Sequence, residues 1–142
     1  DFFTPHAQKT PERLALPGGN ADVERFTEEF IRPWLRDGRA AYRPYSCHQD
    51  AMLDAVEVPF ASHVIVEGSY CLHPGTGRPY DVSAFMTIPY YEQLERIEKR
   101  DGLFMLERFR NEWIPMEEKY FAAFSLPDDR CIVIGQPDQT VS

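Results

Sequence analysis

His63-Val64-Ile65-Val66-Glu67-Gly68-Ser69-Tyr70, HVIVEGSY, is the stretch on which the reading of this chain turns. Val64, Ile65 and Val66 form an unbroken β-branched run, closed by Glu67-Gly68. Such a run predicts a strand buried on both faces, as in the middle of a parallel sheet. Glu67 then falls at the carboxyl end of the strand, the edge where open α/β sheets place ligands and chemistry. A carboxylate there either handles Mg²⁺ or a proton, or merely opens the next loop. The surrounding elements have to choose between the two.

Upstream of this run, Ala41 to Cys47 and Ala55 to Pro59 read as two short strands, and Pro44 makes the first an irregular or edge strand. Earlier still, Asp22 is placed to cap a helix whose apolar stripe is Val23, Phe26, Phe30 and Trp34. Asp37-Gly38 stops that helix, and Pro33 kinks it or ends it early. Residues 1–21, with Pro5, Pro11, Pro17 and Gly18-Gly19-Asn20, read as a turn-rich loop rather than a helix.

Downstream, His73-Pro74-Gly75-Thr76-Gly77 is a turn, and Ala84 to Ile88 reads as a second buried strand. Tyr91, Leu94 and Ile97 line one helix face, which runs into Arg100-Asp101-Gly102. A second helical stretch, Leu103 to Phe124, carries a drifting apolar stripe and is interrupted by Pro115. Cys131 to Ile134 reads as a last buried strand before a polar tail. Strands separated by helices predict an α/β fold, a parallel sheet with helices on both faces in one domain.

The totals set bounds. The chain has 142 residues, enough for one domain, and is 43% hydrophobic and 13% aromatic, as folded proteins are. Its net charge of −8 disfavours a nucleic-acid polymer as partner. No apolar run approaches the ~20 residues of a membrane span, and no signal peptide is visible. Cys47, Cys71 and Cys131 are odd in number and form no CxxC pair, which predicts reduced thiols in the cytoplasm rather than disulfides or a zinc site.

No segment has the GxxxxGK[ST] spacing that wraps a phosphate chain. Among the basic residues, Arg96 and Arg100 lie one helical turn apart, and Arg108 and Arg110 follow Gly102. They could close over phosphate oxygens. Glu92–Arg96 and Glu95–Lys99 could equally be ordinary surface pairs one turn apart.

In this order the residues resemble the P-loop kinases of the uridine kinase and phosphoribulokinase type. The resemblance spans nearly the whole chain. It rests on Asp1-Phe2-Phe3, the segment from Thr10-Pro11-Glu12-Arg13-Leu14 through Pro17-Gly18-Gly19-Asn20-Ala21-Asp22 to Arg25-Phe26, and Val64 to Gly68. Tyr80-Asp81 with AFMTI, Arg96 to Asp101, and Trp113-Ile114-Pro115-Met116-Glu117 with Tyr120-Phe121 complete it.

The resemblance implies a three-layer parallel sheet flanked by helices, of the P-loop NTPase type, without its N-terminal P-loop unit of roughly 30 residues. It implies an ATP- and Mg²⁺-dependent phosphotransferase that passes the γ-phosphate to a hydroxyl of a nucleoside-like metabolite. Glu67 would be the metal-side residue, Arg96 and Arg100 catalytic lid arginines, and Arg108 a cofactor-binding lid residue. Tyr45 would face the acceptor substrate, with Arg43 and His48 as neighbours. The catalytic base is Asp1 if the motif is Asp-x-Phe beginning here, and the residue before Asp1 if it is Asp-Asp-Phe-Phe. No histidine follows Tyr45 at the spacing expected of uridine-cytidine kinases, which leaves pantothenate-like and ribulose-phosphate-like acceptors open. The chain itself is expected to be an inactive fragment whose free sheet edges favour pairing with another copy. The rival expectation is a non-catalytic protein that uses the kinase scaffold for ligand binding or assembly.

Overall fold

The computed structural model describes residues 1–135, in two compact units, Asp1–Pro79 and a second that begins at Tyr80. The architecture is mixed α/β on small sheets. Among the described residues the named strands form three two-stranded sheets, of which one is parallel. A three-layer parallel sheet is not among them.

In the first unit, helix α1 (Pro11–Ala15) lies inside the segment expected to be loop only. Thr10 caps it, its Oγ1 accepting from the Arg13 N–H at 3.2 Å, and Pro11 stands at the first helical position, where no N–H is needed. Helix α2 (Val23–Phe26) begins at Asp22, whose carboxylate accepts from the Arg25 N–H at 3.0 Å. A π turn, Thr27–Ile31, joins it to α3 (Arg32–Asp37), which Gly38 ends in the left-handed conformation at φ 65°. The helix therefore runs between the predicted signals. Pro33 neither breaks nor ends it. The N–H one residue before Pro33 reaches back five residues, from Arg32 to the Thr27 carbonyl, and the wider turn accommodates the proline.

Strand β1 (Ala40–Tyr42) pairs antiparallel with β4 (Val56–Val58), from Ala40 opposite Val58 to Tyr42 opposite Val56. Beyond Arg43-Pro44 the chain resumes as β2 (Tyr45–Ser46), antiparallel to β3 (Ala51–Met52). The single strand expected over 41–47 is thus two, split at Pro44, as a missing N–H demands. Phe30, Ile31, Ala40, Tyr45 and Leu72 are buried here, beside a file of rings running from Phe2 through Phe26 and Phe30 to Trp34.

The segment 63–67 corrects the opening expectation. It lies outside every strand, and Ile65 is 92% exposed. A β-branched run suits a pleated, paired environment but cannot create one. No described strand pairs with it.

In the second unit, β5 (Ser83–Thr87) and β6 (Cys131–Gly135) form the parallel pair, Ser83 opposite Cys131 through Thr87 opposite Gly135. Both strands stand close to where the sequence places them, but neither is buried as expected: Met86 is 79% exposed, and Ile132, Val133 and Ile134 are each at least half exposed. A two-stranded pair leaves faces and edges open that a larger sheet would cover. Helix α4 (Tyr90–Arg108) is broken at Gly102, where φ is 80° and ψ 171°. A second π turn, Phe109–Trp113, leads into α5 (Ile114–Ala123). Ile97, Leu106 and Ile114 form its core with Leu94 and Phe109, and Tyr120 is fully buried. The polar tail expected after β6 lies outside the described residues. No helix among the described residues is long and apolar enough to cross a membrane.

Candidate functional site

A cavity of about 580 Å³ opens in the first unit. Its walls come from the first three residues, the start of α2, the ends of β1 and β4, and the segment from Val64 to Cys71. The Asp22 cap fixes where α2 begins, and the helical spacing of Phe26 and Phe30 then turns both rings to the cavity. Phe2 packs against Phe26 at 4.9 Å and against Tyr42 at 4.8 Å between ring centroids. The phosphate-sized basic lid expected of the arginines is not part of this wall. The wall is aromatic and acidic.

Asp1 is anchored to the cavity wall by three hydrogen bonds. Its carboxylate accepts a hydrogen bond from the Tyr42 hydroxyl at 2.8 Å. Its carbonyl accepts from the Tyr45 N–H at 2.8 Å and from the Arg25 guanidinium at 3.0 Å. Arg25 is held in turn by the Asp22 carboxylate at 3.2 Å and by the Arg43 carbonyl, and its guanidinium lies 4.9 Å from the centre of the Phe2 ring. Glu67 lines the same cavity and makes no hydrogen bond or ion pair among the described residues. The structure therefore brings Asp1 and Glu67 to one site.

The other sequence-derived candidates fall elsewhere. Tyr45 is buried and does not line the cavity. Its hydroxyl accepts from the His6 N–H at 3.0 Å and bonds the Asp50 carboxylate, and that second bond chiefly pushes the phenol's pKa up. Arg43 spans backbone, its side chain donating to the Leu53 carbonyl at 2.9 Å while its N–H donates to Glu29 at 3.1 Å. His48 is exposed in the turn between β2 and β3. Each of the three serves the local fold or the surface.

Arg96, Arg100 and Arg108 belong to the second unit. Arg96 pairs with Glu92 at 3.2 Å and Arg108 with Glu112 at 3.2 Å, each one helical turn apart. Arg100 pairs with Asp101 at 2.7 Å, which raises its pKa, and its guanidinium lies 5.8 Å from the Phe109 ring centre. These are surface pairs of the ordinary kind.

Sequence reasoning missed Tyr42, and it read Phe26 and Phe30 as core only. The available signal was Asp22: a capped helix start beside an aromatic stripe places rings and a carboxylate together at one helix end. Among the described residues no three His, Cys, Asp or Glu side chains gather as a metal-binding group. Two carboxylates on one cavity still suit a hard cation whose remaining ligands are water and phosphate oxygens. Chemically, the site can enclose a flat ring against Phe2, Phe26 and Tyr42 and present a fixed carboxylate to a hydroxyl on it. No family model, curated protein or solved structure matches this chain.

Proposed function

We propose that this cavity is the acceptor site of an ATP-dependent phosphotransferase of the uridine kinase-like type, acting on a hydroxyl of a nucleoside-like metabolite. The observation that carries the reading is the Asp1 carboxylate, fixed by Tyr42 at the wall of an aromatic cavity that also holds Glu67. In this reading the rings bind and orient the acceptor and exclude water from its apolar face. Asp1 accepts the proton of the attacking hydroxyl as general base. Tyr42 keeps one carboxylate oxygen engaged and leaves the other to the substrate. Glu67 would hold Mg²⁺, which supplies charge neutralisation at the transferring phosphate when bound. In this reading the 142 residues, among which no GxxxxGK[ST] spacing occurs, supply the acceptor side of the reaction. The reading entails a parallel sheet flanked by helices, of which the β5–β6 pair is a parallel element already present.

The test is phosphotransfer from MgATP to a panel of hydroxyl acceptors, using protein that carries this chain together with a phosphate-binding loop. Asp1→Asn is expected to lower turnover by about a hundredfold or more while acceptor binding persists. Unchanged turnover would remove Asp1 from the reaction. The 142-residue chain alone is expected to show no saturable MgATP binding. A second reading, ligand binding without catalysis, is favoured by the local pairing of Arg96, Arg100 and Arg108. It predicts acceptor binding with no phosphotransfer to any acceptor.

A further inference from the structure

The cavity carries a charge pattern that narrows its ligand. Among the described residues lining it, those charged at neutral pH are Asp1, Asp22 and Glu67, all carboxylates, with no lysine, arginine or histidine among them. Asp22 is compensated by Arg25 at 3.2 Å. Asp1 bonds a neutral tyrosine hydroxyl, and Glu67 makes no ion pair among the described residues, so both charges remain uncompensated by side chains. An anion entering this space would meet two carboxylates, while the guanidinium against its Phe2 wall, Arg25, is already engaged by Asp22 and by the Asp1 and Arg43 carbonyls, so the cost grows as water is displaced.

The aromatic wall points the same way. Its rings already hold one cation, since the Arg25 guanidinium sits 4.9 Å from the centre of Phe2. Ring faces attract positive charge through their quadrupole, most strongly where water is thin. A space of about 580 Å³ is ample for one ring with a hydroxyl-bearing substituent.

We infer that the cavity selects its acceptor by charge, taking a flat cationic ring ahead of a neutral one and turning away rings that bear a carboxylate or phosphate. This rests on the acceptor-site reading above and sharpens it: acceptors of pantothenate or sugar-phosphate character are excluded. Discrimination comes from Asp1 and Glu67, and affinity for the ring itself from Phe2, Phe26, Phe30 and Tyr42.

The test uses the 142-residue chain, acetylated at its N-terminus so that the α-amine of Asp1 adds no charge. Three hydroxyethyl-substituted ring probes are titrated at low salt and followed by NMR: N-(2-hydroxyethyl)pyridinium, phenethyl alcohol and the 4-(2-hydroxyethyl)benzoate anion. The pyridinium is expected to bind about fivefold tighter than the neutral alcohol. The benzoate is expected to cause no shift at the same concentrations. In the Asp1→Asn/Glu67→Gln double variant the pyridinium's advantage over phenethyl alcohol is expected to disappear, and a preference retained there would overturn the inference. Equal binding of all three probes would overturn the charge inference and leave the acceptor site standing. Binding of none would overturn both.

Discussion

Tyr42 and Tyr45 stand three residues apart, on either side of Pro44, and do opposite things. Tyr42 reaches into the cavity and bonds Asp1; Tyr45 is buried and bonds Asp50 and the His6 N–H. The sequence points to Tyr45, whereas the tyrosine at the cavity is Tyr42. Three positions apart, the two face opposite sides even of an unbroken strand, and only the family resemblance singles out Tyr45. Asp1 and Glu67, named from the family resemblance, fall at one cavity, although the strand expected to carry Glu67 does not form. Two other residues allow direct tests. Gly19 is packed so closely that a Cβ would lie 1.8 Å from the Arg13 carbonyl oxygen. Gly19→Ala should therefore destabilise the protein by about 2–4 kcal/mol in denaturant unfolding. His73 is kept mainly neutral by burial, which holds its pKa below the ordinary 6.5 against the pull of the Pro17 carbonyl and Glu24; its Nδ1 accepts from the Gly75 N–H at 3.0 Å. A depressed histidine adds stability above its unfolded pKa and loses it as pH falls through the folded one. Stability should thus decline on acidification from about pH 6.5, and His73→Gln should flatten that limb of the unfolding profile. Glu24, depressed chiefly by its hydrogen bonds from Arg13, adds a loss of the same sign at lower pH.

At the level of elements, ends were legible and partners were not. Asp22 and Gly38 mark the helix boundaries because capping is a local matter of one side chain and one backbone conformation. Asp22→Ala should accordingly cost about 1–2 kcal/mol, and Asp22→Asn, which keeps the capping oxygen, distinctly less; urea midpoints measure both. The π turns were not legible. Both occur just before a proline, with the Arg32 N–H reaching Thr27 and the Ile114 N–H reaching Phe109. Each adds one residue to a turn and so rotates the apolar stripe, which accounts for the drift seen along residues 103–124. A proline read alone predicts a kink or a break, but the wider turn before each one accommodates its ring. The run from Val64 to Val66 failed for a different reason. Strand formation depends on what lies beside a segment, and that is absent from the segment's own composition.

For the whole molecule, the informative fact is where the cavity lies. Every described residue lining it falls within Asp1–Pro79, although the resemblance to uridine kinase-like proteins spans both units. Ligand occupancy and folding are linked quantities: a ligand that binds the native state alone at a hundred times its dissociation constant adds about 2.7 kcal/mol. That increment should register as slowed amide exchange at the backbone groups that build the cavity. The Asp22 N–H, which bonds the Phe2 carbonyl at 2.8 Å, and the Tyr45 N–H, which bonds that of Asp1, are the natural reporters. The parallel pairing of β5 with β6 supplies the internal reference, since its amides lie outside the unit that holds the cavity. Comparing the two sets turns a search for an unknown ligand into a screen that needs no enzymatic readout: a compound that protects Asp22 and Tyr45 more than the β5–β6 amides has found the cavity.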